Sequence, residues 1–124
     1  MKKHMILVVD DEQEIRNMFF RYLSKKGYLV HLAGSLEEER KILELTTPDL
    51  IFLDINLPDG NGLEELVRLK PIRMACKVVL MSAFDQIEER KQAFESGAID
   101  FLSKPFSLLR LNQVLDSRFN PSTN

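Results

Sequence analysis

Acidic residues follow apolar runs at two points in this chain: Asp10 and Asp11 directly after Met5–Val9, and Asp54 directly after Leu50–Leu53. Ser82 follows a third run, Val78–Met81, and Ser103-Lys104-Pro105 follows a fourth, Ile99–Leu102. Carboxylates placed this way, with a hydroxyl and an amine on the same edge, can hold a hard cation. Three carboxylates on one edge repel, each pair by roughly 3 kcal/mol at about 5 Å and an effective dielectric near 20. Something cationic must offset this. Hard oxygen donors with no His or Cys point to Mg²⁺ rather than zinc, and Lys104 supplies a further positive charge. One Asp alone would read as a helix cap or the start of a turn; the shared position of all these residues carries the argument.

That shared position follows from the elements. A fifth apolar run, Tyr28–Leu32, completes a set in which MILVV, LIFL and VVLM are nearly continuous, as strands covered on both faces require. Tyr28–Leu32 contains His31 and Ile99–Leu102 contains Asp100, so these two strands are expected to be more exposed. Helical stretches alternate with the strands. The first covers about Glu12–Lys25 and ends at Gly27; the second starts at Ser35, with Glu38 completing a capping box, and stops before Pro48. The third follows Gly62, with Leu63, Leu66 and Val67 on one face, and ends before Pro71. The fourth covers about Gln86–Ser96 and closes at Gly97; the fifth is capped by Ser107 and shows Leu108, Leu111 and Leu115 at helical spacing. Five alternations of strand and helix predict an α/β fold, an open parallel sheet with right-handed crossovers. In such sheets ligands bind outside the carboxyl ends of the strands, where every candidate group lies.

Composition narrows the classes. The 124 residues are one domain's worth, with 44% hydrophobic and 29% charged residues, enough for a packed core. A net charge of −2 carries no footprint of a nucleic-acid binder or a polybasic membrane anchor. No apolar run approaches bilayer length, so the chain is expected to be soluble and cytoplasmic. The single Cys76 excludes an internal disulfide and reads as a buried thiol. His4 and His31 lack ligand spacing, and the acidic run Glu37-Glu38-Glu39 reads as a solvated helix face.

Four segments in register, VVDDE at Val8–Glu12, LIFLDINLPDGNG at Leu50–Gly62, VVLMSA at Val78–Ala83 and DFLSKPF at Asp100–Phe106, resemble the receiver domain of bacterial two-component response regulators, the single-domain, CheY-like family. The resemblance runs from about Met5 to Phe119, giving an expected domain of residues 1–119 and a frayed polar tail over 120–124. It implies a five-stranded, doubly wound, flavodoxin-like sheet of order 2-1-3-4-5, and a phosphotransfer switch rather than an enzyme acting on other molecules. Asp54 matches the phosphoacceptor. Asp11 matches the direct Mg²⁺ ligand, Asp10 a ligand acting through water, and Asn56 a backbone-carbonyl ligand; Mn²⁺ can substitute. Ser82 and Lys104 match the residues that hold the phosphoryl oxygens, and Phe101 the aromatic whose rotamer reports activation. The Lys104–Pro105 peptide is expected to be cis. Family members more often carry Thr at position 82 and Tyr at position 101, so the inward state of Phe101 is expected to depend on packing alone. The implied partners are a sensor histidine kinase or histidine phosphotransfer protein, and a downstream output domain or target. Phosphorylation would switch the face made by the fourth helix, fifth strand and fifth helix, and can promote dimerisation there.

Several residues take roles beside the motifs. Asn56 and Phe84 flank the approach of hydrolytic water and are expected to tune the phosphoryl lifetime, with Phe84 as a screen. Asp59, Gly60 and Gly62 are expected to shape the loop after Asp54. On the first helix Phe19 and Leu23 read as core, while Ile15 and Met18, near the acid residues, form a candidate kinase-docking patch. A phosphatase of the Asp-x-Asp type is disfavoured because Asp54-Ile55-Asn56 has an amide in the second place, and a nucleotide-binding module because Asp10-Asp11-Glu12 would repel phosphate. A phosphorylation-independent interaction module, or a receiver fragment of a larger DNA-binding regulator, remain as alternatives.

Overall fold

The computed structural model describes residues 3–84 and 86–120; the expected tail over 120–124 lies, apart from Asn120, outside the described residues. Five strands form one parallel sheet: β1 (Met5–Val9), β2 (Leu29–Ala33), β3 (Leu50–Asp54), β4 (Lys77–Ser82) and β5 (Asp100–Ser103). Their spatial order is β2-β1-β3-β4-β5, the expected arrangement. Helices α1 (Gln13–Lys25), α2 (Leu36–Leu45), α3 (Gly62–Arg68), α4 (Ile87–Glu95) and α5 (Leu108–Phe119) connect and follow them. Two dipeptides after β3, Asn56–Leu57 and Gly60–Asn61, pair as a small antiparallel ladder.

Strand alternation builds two cores. Ile6, Val8, Leu50, Phe52, Val79, Met81 and Leu102 face one side, where Phe19 and Leu23 of α1 and Leu111, Val114 and Leu115 of α5 cover them. Leu7, Val9, Ile51, Leu53, Val78, Leu80 and Phe101 face the other, against Leu36 of α2, Leu66 of α3 and Ala93 of α4. The central strands β1, β3 and β4 are buried on both faces, whereas β2 and β5 are edges, as their polar residues predict. Cys76 is buried, and burial pushes its thiol up to about 12.

Local signals act as expected at most helix ends. Ser35 Oγ accepts from Glu38 N–H at 3.2 Å, and Ser107 Oγ accepts from Arg110 N–H at 3.1 Å. Glu38 does not close the expected capping box on Ser35; its Oε1 accepts from the N–H of Gly34 at 3.0 Å. The glycines ending α1 and α4, Gly27 and Gly97, take positive φ of 97° and 102°.

Two expectations about helix faces are corrected. Val67 is 57% exposed, and the third helix instead buries Glu65 beside Leu66. Glu39 is fully buried rather than solvated, unlike its neighbours Glu37 and Glu38. Both departures have one cause. Glu65 binds Arg68 through two hydrogen bonds (3.0 and 2.8 Å) and Arg40 at 2.7 Å, so its charge enters the α2–α3 interface paired. Glu39 lies next to it, and its oxygens find a partner only when the acid keeps its proton and donates it to the Glu65 carboxylate. Burial first, then the adjacent Glu65 carboxylate, raises Glu39 to about 9, so it enters as a neutral acid.

Candidate functional site

The carboxyl ends of β1, β3 and β5 bring together residues far apart in the chain. Asp10 continues the alternation of Ile6 and Val8, and Asp54 that of Leu50 and Phe52, so both belong to the α1–α5 side of the sheet. Lys104, just past β5, reaches them: Nζ lies 2.6 Å from Asp10 Oδ2, 2.9 Å from Asp54 Oδ2 and 3.2 Å from Glu12 Oε1. The peptide joining Lys104 to Pro105 is cis, as the resemblance implies.

Each carboxylate is anchored on its own loop. Asp10 is fully buried; its Oδ1 accepts from Glu12 N–H at 2.9 Å and its backbone carbonyl accepts from Arg16 Nη1 at 2.8 Å. Asp54 is 4% exposed, and its Oδ1 accepts from Asn56 N–H at 3.3 Å. A cavity of about 260 Å³ opens above them, walled by Asp11, Glu12, Asp54, Asn56, Ala83, Phe84 and Lys104. Burial raises the pKa of Asp54 against the lowering effect of Lys104, with Asp10 adding to the rise. Burial also works against the charge of Lys104, but its bonds to Asp10 and Asp54 outweigh this and hold it firmly protonated.

One lysine among three carboxylates leaves an uncompensated negative site, and oxygens of Asp10, Glu12 and Asp54 all lie within 4.8 Å of one another. Such a set of hard donors suits a small divalent cation. Glu12 is a member of this cluster that the motif reading passed over; its place two residues after Asp10 was the available signal. Asp11 is exposed on the cavity wall, outside that closest cluster.

The expected switch residues lie on the other side of the sheet. Ser82 follows the alternation of Val78 and Leu80, and Leu80 is the register partner of Phe101. Ser82 is fully buried, with its hydroxyl engaged by its own loop: Oγ accepts from Phe84 N–H at 3.0 Å and donates to Phe84 O at 3.2 Å. Phe101 is fully buried, pointing inward. Its environment is not apolar packing alone, because the Arg90 guanidinium lies 5.0 Å from the ring centroid while Arg90 Nη2 donates to Ser103 Oγ at 3.0 Å. On α1, Ile15 and Met18 are half-buried against the core, and the more open apolar side chain is Phe20, 46% exposed.

The family model for the response regulator receiver domain matches residues 6–116. The DNA-binding transcriptional regulator NtrC of Azospirillum brasilense is 34% identical over 118 residues, covering 95% of this chain and 24% of that protein. A crystal structure of a two-component response regulator from Clostridium difficile superposes with a TM-score of 0.90 at 26% identity, covering 98% of this chain and all of the other. The response regulator TrrA of Thermotoga maritima, solved in complex with Mg²⁺ and BeF, gives 0.81 at 28% identity, covering 94% of this chain and 99% of that one. The chain spans from about a quarter to about half the length of the curated relatives it matches. Among the described residues no helix is long and apolar enough to cross a membrane. With its sheet order, its acid cluster at the strand ends and the family match over most of its length, the chain belongs to the response regulator receiver domains, the phosphoacceptor modules of phosphorelay signalling.

Proposed function

We propose that Asp54 accepts a phosphoryl group from a phosphohistidine of a sensor histidine kinase or histidine phosphotransfer protein. A carboxylate oxygen of Asp54 forms the new O–P bond while the N–P bond breaks and its electron pair returns to the imidazole. The observation that carries this reading is the Lys104 bridge between Asp54 and Asp10 beneath the cavity. It places a fixed positive charge beside the oxygen that would receive the phosphoryl group. Asp10, Asp11, Asp54 and the Asn56 carbonyl would hold Mg²⁺, with Glu12 beside them; Mn²⁺ would fit the same oxygens. When bound, the cation neutralises charge on the transferring group.

Ser82 would then exchange its bonds to the Phe84 backbone for one to a phosphoryl oxygen. Because Ser82 and Phe101 share one sheet face, that movement would be felt by the ring and, through Arg90, by α4. The α4–β5–α5 face carries exposed Ile87 (86%), Phe94 and Ile99, apolar surface suited to a downstream partner, an output domain or a second copy. The exposed parts of Ile15 and Met18 on α1 would receive the kinase. The expected compartment is the cytoplasm, the domain is expected to occupy residues 1–119, and the output domain of a longer regulator would follow it.

The test is Mg²⁺-dependent labelling by a small phosphodonor, resolved by phosphate-affinity electrophoresis, in wild type and Asp54→Ala. Labelling that requires both Mg²⁺ and Asp54 supports the proposal. A folded, Mg²⁺-binding protein that takes no label from the small donor or from any histidine kinase would overturn it in favour of an interaction module.

A further inference from the structure

We infer that Asp59 is a positioning residue for the cation-facing loop, clamping the hairpin that carries Asn56 onto the N-terminus of α2. The inference rests on the proposed function for the role of the cation, but the clamp itself is a matter of geometry.

Asn56 walls the cavity, and it belongs to a ladder of only two residue pairs, Asn56 with Asn61 and Leu57 with Gly60. So short a hairpin does not hold itself in place. At its base Gly62 N–H donates to Ile55 O at 2.7 Å, a bond that opens when the hairpin swings away, and the approach is tight, since a Cβ at Gly62 would fall 2.4 Å from the Asp54 carbonyl oxygen. Asn61 Oδ1 accepts from Leu63 N–H at 2.7 Å, so the descending arm is tied to α3.

The tip is tied elsewhere, and by one side chain. Asp59 Oδ1 accepts from Leu36 N–H at 2.9 Å, and Oδ2 accepts from Glu37 N–H at 3.0 Å. These are the first two amides of α2, while its own cap, Ser35, takes the amide of Glu38. The helix therefore receives a cap in cis and a second one in trans, from a residue more than twenty positions away. Leu36 also seals the contact from below: it is buried in the core, and a Cβ at Gly60 would fall 2.6 Å from its Cδ1. The two backbone bonds hold the Asp59 carboxyl below its usual range although the side chain is exposed. An exposed carboxylate this well partnered is a strut between α2 and the wall of the acid cavity.

The experiment compares Asp59→Ala with Ser35→Ala. Both remove a cap from the same helix end, but only the first releases the hairpin. Mg²⁺ affinity is read by titration of amide chemical shifts, and loop order by hydrogen exchange of the Gly62 amide. Asp59→Ala is expected to weaken Mg²⁺ binding about tenfold, as loss of an outer-shell support does, and to speed Gly62 exchange severalfold. Ser35→Ala is expected to lower the melting temperature while leaving both readings at wild-type values. Asp59→Asn, which keeps one acceptor oxygen, should fall between Asp59→Ala and wild type. Wild-type Mg²⁺ affinity and Gly62 exchange in Asp59→Ala would overturn the inference, and so would equal effects from Ser35→Ala, which would assign them to helix fraying. A wild-type protein that binds no Mg²⁺ would instead sink the proposed function, and Gly62 exchange would still decide the clamp.

Discussion

Lys104 Nζ lies 2.9 Å from Asp54 Oδ2 across a sequence separation of fifty residues, with the lysine side chain 9% exposed and that of the aspartate 6%. The same nitrogen is 2.6 Å from Asp10 Oδ2, so one cation holds two buried carboxylates at the end of the sheet. In this arrangement the amine stands as a counter-charge to both, and a bound metal would share that duty.

Removing it should therefore destabilise the fold and sharpen its need for a cation. Lys104→Met is expected to cost about 3 kcal/mol at pH 7 in the absence of Mg²⁺, the usual loss when one partner of a buried pair is removed. Mg²⁺ should restore much of this, and bind more tightly than in wild type, because the carboxylates no longer share the site with an amine. Urea denaturation with and without Mg²⁺ checks both; equal losses in the two conditions would refute the shared duty.

The Glu39–Glu65 pair predicts an unusual pH dependence. Glu39 is raised to about 9 in the folded state from an ordinary 4.5, so the folded protein holds a proton that the unfolded chain has released. Its stabilising contribution is full below about pH 4.5 and is lost as pH rises toward 9, by at most about 1.4 kcal/mol per pH unit. Glu65 behaves oppositely. Burial works against its charge, but Arg68, Glu39 and Arg40 lower it to about 2, so its contribution is present above 4.5 and lost only as pH falls toward 2. Urea unfolding from pH 5 to 9 should show stability declining in wild type and a flatter profile in Glu39→Gln. The variant should also be the more stable protein at pH 8.

Arg90 on α4 should hold Phe101 inward. Arg90→Met removes both the cation over the ring and the bond to Ser103, and is expected to cost about 1–2 kcal/mol. It should also raise the outward rotamer population of Phe101, measured from side-chain couplings of labelled phenylalanine. An unchanged rotamer distribution would show that packing alone sets the ring.

Phe84, 62% exposed on the cavity wall, should slow hydrolysis of the phosphorylated state by shielding it from water. Phe84→Ala is expected to accelerate dephosphorylation severalfold, followed as loss of the shifted electrophoretic band after the donor is removed. An unchanged rate would assign the screening elsewhere.

What the sequence determined by itself was the order of elements and the edge on which the chemistry falls. Five apolar runs of strand length, four of them followed directly by a polar residue and each leading to a helical period, admit few arrangements other than a parallel sheet with its polar groups at the carboxyl ends. Hence Asp10, Asp54, Ser82 and Lys104 were legible before any contact was known, and the strand limits moved by only a residue or so. Tertiary structure decided what depends on distance between segments. Sequence could not tell that Glu12 rather than Asp11 joins the closest carboxylate cluster, since a one-residue step around a loop changes which way a side chain faces. Nor could it show that Glu39 and Glu65 turn inward, because that depends on how two helices meet: Arg40 of α2 joins Arg68 of α3 around the Glu65 carboxylate, and Glu39 enters beside it as a neutral acid. The contacts of Asp59 with α2 and of Arg90 with Phe101 belong to the same kind: a polar side chain finds a partner distant in sequence only after the sheet has fixed how far apart the loops and helices stand.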